Sequence, residues 1–287
     1  LAELTIREQV QRRLEGMKAV RKPYEADWEE INRLAMPSRG EFLGSANSRK
    51  NNSRRANTTS KDSHPRRASR TLGYGMQSGL SNSTTPWFDI GTVDPDETEY
   101  QENKEWLAVV KMRIYRLFAD IGIYDIFKLN YLELGNYGTA SGALLENSDY
   151  GAAAHAFTAG EYYLATDSAG RVNTQYRHVN LTVQQMVTMF DWNRLSKTVQ
   201  QAWNANNTTA IVPCVHVIEP NNDRDPTKID VANKPFRSIW FEPGNDNRTM
   251  LLREGGYDSK PFWGPRMCPL TPPDPGTRCR GEDGASA

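Results

Sequence analysis

Chemistry in this chain would have to come from four histidines, three cysteines, a serine in a glycine-flanked turn, a knot of carboxylates and a run of arginines and lysines. His64, His155, His178 and His216 stand singly, with no His-x-x-x-His or Cys/His pair, so a zinc site has no local nucleus and each reads as a surface or sheet histidine. Cys214, Cys268 and Cys279 are odd in number and far apart, which argues against a disulfide framework and suits a reducing compartment. Ser141, in Gly138-Thr139-Ala140-Ser141-Gly142, lacks the second spacer of a nucleophile elbow and reads as a turn from helix to strand. Gly73, Gly75 and Gly79 miss the spacing of a dinucleotide loop, and no Gly-Lys-Ser/Thr tripeptide places a lysine on nucleotide phosphates. Asp94, Asp96 and Glu97 have the donor chemistry for a divalent cation. Acids at a helix start also complement the positive end of the helix dipole, and that structural role is the favoured expectation. No metal or cofactor is called for, and an enzyme built on dispersed carboxylates stands only as an alternative.

The basic run is the strongest hint of a partner. Residues 39–70 carry nine lysines and arginines against Glu41 and Asp62, a local net charge of +7. Arg49, Lys50, Arg54, Arg55, Arg66, Arg67 and Arg70 are the candidate contacts within it. Side chains of this kind meet DNA phosphates in a salt-sensitive, sequence-independent way. They equally suit an acidic surface on a neighbouring copy. Residues 89–105 offer one, with seven carboxylates against Lys104 alone. The overall balance of 35 basic and 35 acidic residues in 287 conceals both patches. No apolar run approaches the ~20 residues of a membrane-spanning helix.

These groups have to be positioned by elements whose periodicity can be read. Apolar residues recur at helical spacing at Val10, Leu14 and Met17, then at Tyr24, Trp28, Ile31 and Ala35. Pro23 predicts a division into two helices. A small-residue helix is expected over 66–80. A further helix should start at Asp94-Pro95 and run to about Asp120, with Trp106, Val110, Leu117 and Phe118 as its apolar stripe. Gly122 ends it, and a second amphipathic helix follows with Ile123, Phe127, Tyr131, Leu134 and Tyr137 on one face. Beyond 140 the period becomes two, predicting strands at 143–145, 155–157, 162–165, 172–179, 211–218, 236–241 and 250–253. A helical insert at 181–202 interrupts them, and Asp167-Ser168-Ala169-Gly170 reads as a hairpin turn. The expected class is α+β, with N-terminal helices followed by a mostly antiparallel β-rich region. The corresponding divisions are helices at 1–38, a basic flexible loop at 39–65, a helical region at 66–140, a β-rich region at 141–263 and a Pro-rich, disordered tail at 264–287.

Several phrases then carry a resemblance. They are Trp28-Glu29-Glu30-Ile31, the run from Arg70 to Leu80, Thr84-Thr85-Pro86-Trp87-Phe88 and the run from Tyr131 to Thr139. Gly160 to Leu164, Gly170 to Thr174, Arg177, Gln185 to Phe190, Val215 to Pro220, Lys234 to Ser238 and Leu252 to Tyr257 continue it. Taken in order, over about residues 7–266, these resemble the portal or head-to-tail connector proteins of short-tailed bacteriophages. The resemblance implies a structural, non-enzymatic subunit of a ring, typically of twelve copies, at one capsid vertex. Through that ring double-stranded DNA is packaged by a separate terminase motor and later ejected. The implied partners are further copies of the chain, the major capsid protein, terminase, tail proteins and DNA, with no membrane. The implied location is the virion, with assembly in the host bacterial cytoplasm. Family members place these helices and the β-rich part in a peripheral wing, with stem, clip and crown later in the chain. After Pro265-Arg266 the text departs from the family into Met267-Cys268-Pro269-Leu270-Thr271. A reading-frame shift would produce such a change, so the expectation is a prematurely ended connector from a prophage. A stand-alone nucleic-acid-binding module using 39–70 is the alternative.

Overall fold

A computed structural model describes residues 5–36, 62–147, 150–245, 247 and 249–267. The first helix, α1 (Ile6–Ala35), begins with a capping box in which Thr5 and Glu8 satisfy each other's backbone N–H groups. The expected break at Pro23 does not occur, and α1 is continuous through it. An interior proline costs about 3 kcal/mol through its missing N–H and its clash with the preceding turn. Tertiary contacts on both sides of Pro23 offset that cost. N-terminal to it, Val10 and Leu14 pack with Tyr163, Tyr176, Val215, Val217, Ile239 and Phe241 of the larger sheet. C-terminal to it, Trp28, Ile31 and Ala35 pack with Met36, Tyr137 and Ala159.

Three arginines strengthen this docking. Arg7 is buried and donates to the carbonyls of Glu242 (2.8 Å), Asn245 (3.3 Å) and Asn247. Arg13 reaches Glu219 at 2.8 Å, and the same buried carboxylate accepts from Arg237 and from the Tyr176 hydroxyl (2.7 Å). Burial, reinforced by Glu219, raises the Tyr176 hydroxyl far above its ordinary value. Arg21 lies 3.7 Å over the Tyr163 ring and donates to the carbonyls of Gly160 and Tyr162.

The next helices are α2 (His64–Leu80), α3 (Pro95–Glu99), α4 (Gln101–Asp120) and α5 (Ile123–Tyr137). The helix expected over 95–120 is thus two, divided at Tyr100, whose ψ of 136° is extended. The amide of Asn103 donates to the Glu97 carbonyl at 2.6 Å, satisfying an α3 C-terminal carbonyl without a continuous helix. Gly122 and Gly138 take the positive φ values, 66° and 71°, that bound α5 on either side.

All strand pairs are antiparallel. A five-stranded sheet runs in the order β3 (Tyr162–Thr166), β4 (Val172–Thr182), β5 (Ile211–Pro220), β6 (Phe236–Phe241) and β7 (Arg253–Tyr257). The Asp167–Gly170 turn joins β3 to β4, with the Asp167 carboxylate accepting from the N–H groups of Ala169 and Arg171. A smaller sheet has the order β2 (Gly151–Phe157), β1 (Ser141–Asn147), β8 (Phe262–Trp263). The insert between β4 and β5 holds α6 (Val183–Met189) and α7 (Lys197–Asn204). Met186, Phe190, Leu195 and Val199 close over Cys214 and Leu252 there.

One strand expectation needs correction, and one strand was not expected. The strand expected at 250–253 lies at Arg253–Tyr257, and Leu252 packs beneath the helical insert instead. Its glycines concealed it, yet Gly256 is there because a Cβ would come within 2.6 Å of the Val231 carbonyl. The two-residue β8 was too short to show periodicity. At β1, a Cβ on Gly142 would overlap the Trp263 indole of β8 and the His155 carbonyl of β2. The segment expected to be loose from 264 stays against the α5–β1 junction as far as 267, with Ala140 N–H donating to the Pro265 carbonyl and Met267 N–H to that of Gly138. Residues 268–287 lie outside those described.

Candidate assembly surface

The described part of the basic segment, residues 62–70, and the acidic segment, residues 89–105, lie in or beside one layer of helices. Helix α2 packs antiparallel on α5 at contacts that require small residues. A Cβ on Gly73 would approach Leu132 to 2.7 Å, and one on Gly135 would approach Leu72 to 2.7 Å. The Asn136 amide donates to Ser69 Oγ at 2.7 Å beside them. Helix α4 packs on the other part of α5 with the help of the segment leading to it. Trp87 stacks on Phe118 of α4 and meets Phe127 of α5 edge-on, while Phe88 stacks on Tyr115. The Tyr115 hydroxyl accepts from the N–H groups of Trp87 and Phe88, so this extended segment is anchored without a sheet.

Both outer helices then turn a characteristic face to solvent. On α2, Arg67, Arg70, Thr71, Gly75 and Ser78 are exposed, whereas Ser69 and Gly73 are buried. The first turn of α2 contains no acidic residue. Arginines at that end face the positive pole of the helix dipole, so helix stability gives no reason for them. On α4, Leu107 is buried and Glu102 and Glu105 are exposed. Trp106, Val109 and Met112 retain 62%, 49% and 55% of their accessible surface. Trp106 therefore does not belong to the stripe that meets the core. Periodicity placed it there because Trp106 stands four residues before Val110 and eleven before Leu117, and packing instead turns Leu107 inward at this end of α4.

Of the candidate basic residues, Arg67 and Arg70 are brought together on one side of the α2 start, and Arg66 is half-buried beside them. Arg49, Lys50, Arg54 and Arg55 lie outside the described residues. The candidate cation ligands act locally. Asp94 caps α3 by accepting from the Asp96 N–H at 3.0 Å, and Asp96 and Glu97 occupy the first turn. Among the described residues no group of three or more His, Cys, Asp or Glu side chains could hold a metal ion. Asp89 pairs with Lys111 at 3.0 Å, which together with the Ile90 N–H lowers its carboxyl from the ordinary value.

The remaining candidates sit in the core. Ser141 is buried, donates to the Trp263 carbonyl at 3.0 Å and accepts from Gln175 at 2.6 Å, which leaves no room for a nucleophile. Burial pushes the Cys214 thiol up to about 12, the state of an unreactive thiol. His216 is buried, stacked on Trp240 at 4.1 Å and bonded to Ser238 at 2.9 Å. Burial first, then Arg177 and Arg253, lower it to about 3, so it stays neutral. His155 is lowered by burial and by Arg177. No described helix is long and apolar enough to cross a membrane.

The site is thus a pair of solvent-facing helix surfaces rather than a cleft. Residues 7–269 match the family described as bacteriophage head to tail connecting protein. The chain belongs to that family. It is 38% identical to the "Probable portal protein" of Bordetella phage BPP-1 over 259 residues, which is 90% of this chain and 46% of that protein. It is 35% identical to the "Portal protein" of Salmonella phage epsilon15 over 262 residues, again 46% of the relative. The chain therefore spans about half the length of the curated relatives it matches. The connector family match runs from α1 through the bridge between Thr139 and Arg266, so it takes in both helix surfaces and both sheets.

Proposed function

We propose that the chain serves as a structural subunit, or the wing part of one, in a ring at the portal vertex of a short-tailed phage or prophage. Double-stranded DNA would enter through that ring during packaging and leave through it at ejection. The observation that carries this reading is the connector-family match over 7–269, with portal proteins of two phages aligned over nine-tenths of the chain. In this reading the chain performs no catalytic step and supplies rigid surfaces. Energy for packaging comes from a separate motor, its partner during assembly, and the capsid and tail proteins are its partners in the virion. The charge pattern supports a self-assembling role, because the exposed Arg67 and Arg70 and the exposed Glu102 and Glu105 lie on two different helices of one neutral chain.

Electron microscopy and mass measurement of the purified chain test the proposal. Closed rings of uniform copy number are expected, and a chain that stays monomeric at every concentration overturns it. A second reading, direct DNA contact, is favoured by exposed Arg67 and Arg70 near the start of a helix whose first turn carries no acid. Phosphate binding by that patch would fall steeply with salt, the logarithm of affinity losing about 0.9 per contact for each tenfold rise.

A further inference from the structure

Two features of α2 are not accounted for by its contacts with the other described residues. Gly75 and Gly79 lie within the helix, where each glycine costs about 1 kcal/mol relative to alanine. Unlike Gly73, neither has any atom of the described residues within 4 Å of where a Cβ would stand, so no packing among those residues demands them. Arg67 and Arg70 stand near the positive end of the dipole with no acid in the first turn, and Asp62 just before it is engaged in capping, its carboxylate accepting from the His64 N–H at 2.9 Å. A neighbour that approaches the α2 backbone closely and brings carboxylates to its N-terminal end would account for both.

The first turns of the outward face of α4 have that shape and charge, and Arg113 and Arg116 lie further along the same exposed face. Glu102 and Glu105 share the i, i+3 spacing of Arg67 and Arg70. After them come the exposed Trp106, Val109 and Met112, bulky side chains suited to the strip of small residues Thr71, Gly75 and Ser78, which the exposed Tyr74 ring borders. Within one chain the two faces cannot meet, since α2 and α4 both pack on α5 and the faces turn away from it. They can meet between copies.

We propose that the outward face of α4 in one copy seats along the outward face of α2 in the next, with Glu102 and Glu105 beside Arg67 and Arg70. This rests on the ring reading and assigns a surface to it. The two faces differ, so the contact is heterologous and repeats from copy to copy, the kind of interface that closes a ring. The aromatic that this contact covers is the exposed Trp106, a residue type that often anchors an interface.

A charge-swap experiment on the full chain tests the contact. One variant carries Glu102→Arg and Glu105→Arg, and the other carries Arg67→Glu and Arg70→Glu. Circular dichroism checks that each stays folded, as exposed substitutions should. Like charges then face each other in either variant alone, and self-association by sedimentation velocity should weaken about a hundredfold or more. Mixing the two variants places opposite charges at every contact of an alternating assembly, so association should return in the mixture. Combining all four substitutions in one chain should also restore it. Single variants that assemble as the wild type does overturn this surface while leaving the ring reading intact. Loss in both variants without rescue on mixing overturns the pairing, as does an Arg67→Glu, Arg70→Glu chain that loses DNA retention but assembles normally. A wild-type chain that never assembles overturns the ring reading, and this contact with it.

Discussion

His216 makes folding stability depend on pH in a window where few other groups act. Its ring is buried between Trp240 and Ser238, and its value of about 3 lies well below the ordinary 6.5. The folded protein therefore binds this proton only in strong acid, whereas the unfolded chain binds it below about pH 6.5. Stability is fully present above that value and is lost as the pH falls, by about 1.36 kcal/mol per unit once the unfolded histidine is fully protonated. Between pH 7.5 and pH 4.5 the loss is about 2.5 kcal/mol, a large share of the 5–15 kcal/mol typical of a domain. His155, lowered in the same direction by burial and by Arg177, adds to it. The lowered carboxyls of Asp89 and Asp225 act only near and below 3.8, outside this window. Urea unfolding followed by tryptophan fluorescence at the two pH values measures the loss. In His216→Phe, which keeps a flat ring on Trp240 but cannot take up a proton, most of the pH dependence should disappear. A wild-type loss below about 1 kcal/mol, or an undiminished loss in His216→Phe, would refute the assignment of the neutral ring.

Two further substitutions probe how α1 is held. Glu219→Leu leaves the buried Arg237 guanidinium without its carboxylate and should destabilise the chain by about 3–5 kcal/mol in urea titration, whereas Arg13→Ala, at a half-exposed partner, should lose about 1 kcal/mol or less. Equal losses would show that the network does not depend on buried Arg237. Pro23→Ala restores an N–H and relieves the clash with the preceding turn, so thermal unfolding should show a gain of about 1–3 kcal/mol. Destabilisation would mean that α1 depends on a bend at Pro23.

The elements that follow from local chemistry were legible residue by residue. Asp94 and Pro95 start a helix because a cap and a preset φ act within a few residues. Gly122 and Gly138 bound α5 because only a residue without a Cβ takes their φ cheaply. The hairpin at Asp167–Gly170 closes through the bonds of its own aspartate. The charges of the candidate surface were equally visible, since Arg67, Arg70, Glu102 and Glu105 need no fold to be counted. What lay beyond sequence was every feature decided by residues far apart in the chain. Periodicity at Pro23 predicts two helices, but the sheet beneath Val10 and the Tyr137 face beneath Trp28 hold one. Gly255 and Gly256 hid β7, because the Val231 carbonyl that demands a glycine is brought there only by the fold.

The sequence by itself determined the α+β order, the caps and turns, and the separation of charge between 39–70 and 89–105. It also carried enough ordered motif to identify the connector family. Only tertiary structure decided that Trp106 faces solvent while Leu107 is buried, and that α5 binds α2 and α4 so that their charged faces turn away from it. The physical reason is range. Caps, glycine turns and charge counts depend on neighbours within about one turn, whereas burial depends on which distant surfaces arrive to exclude water.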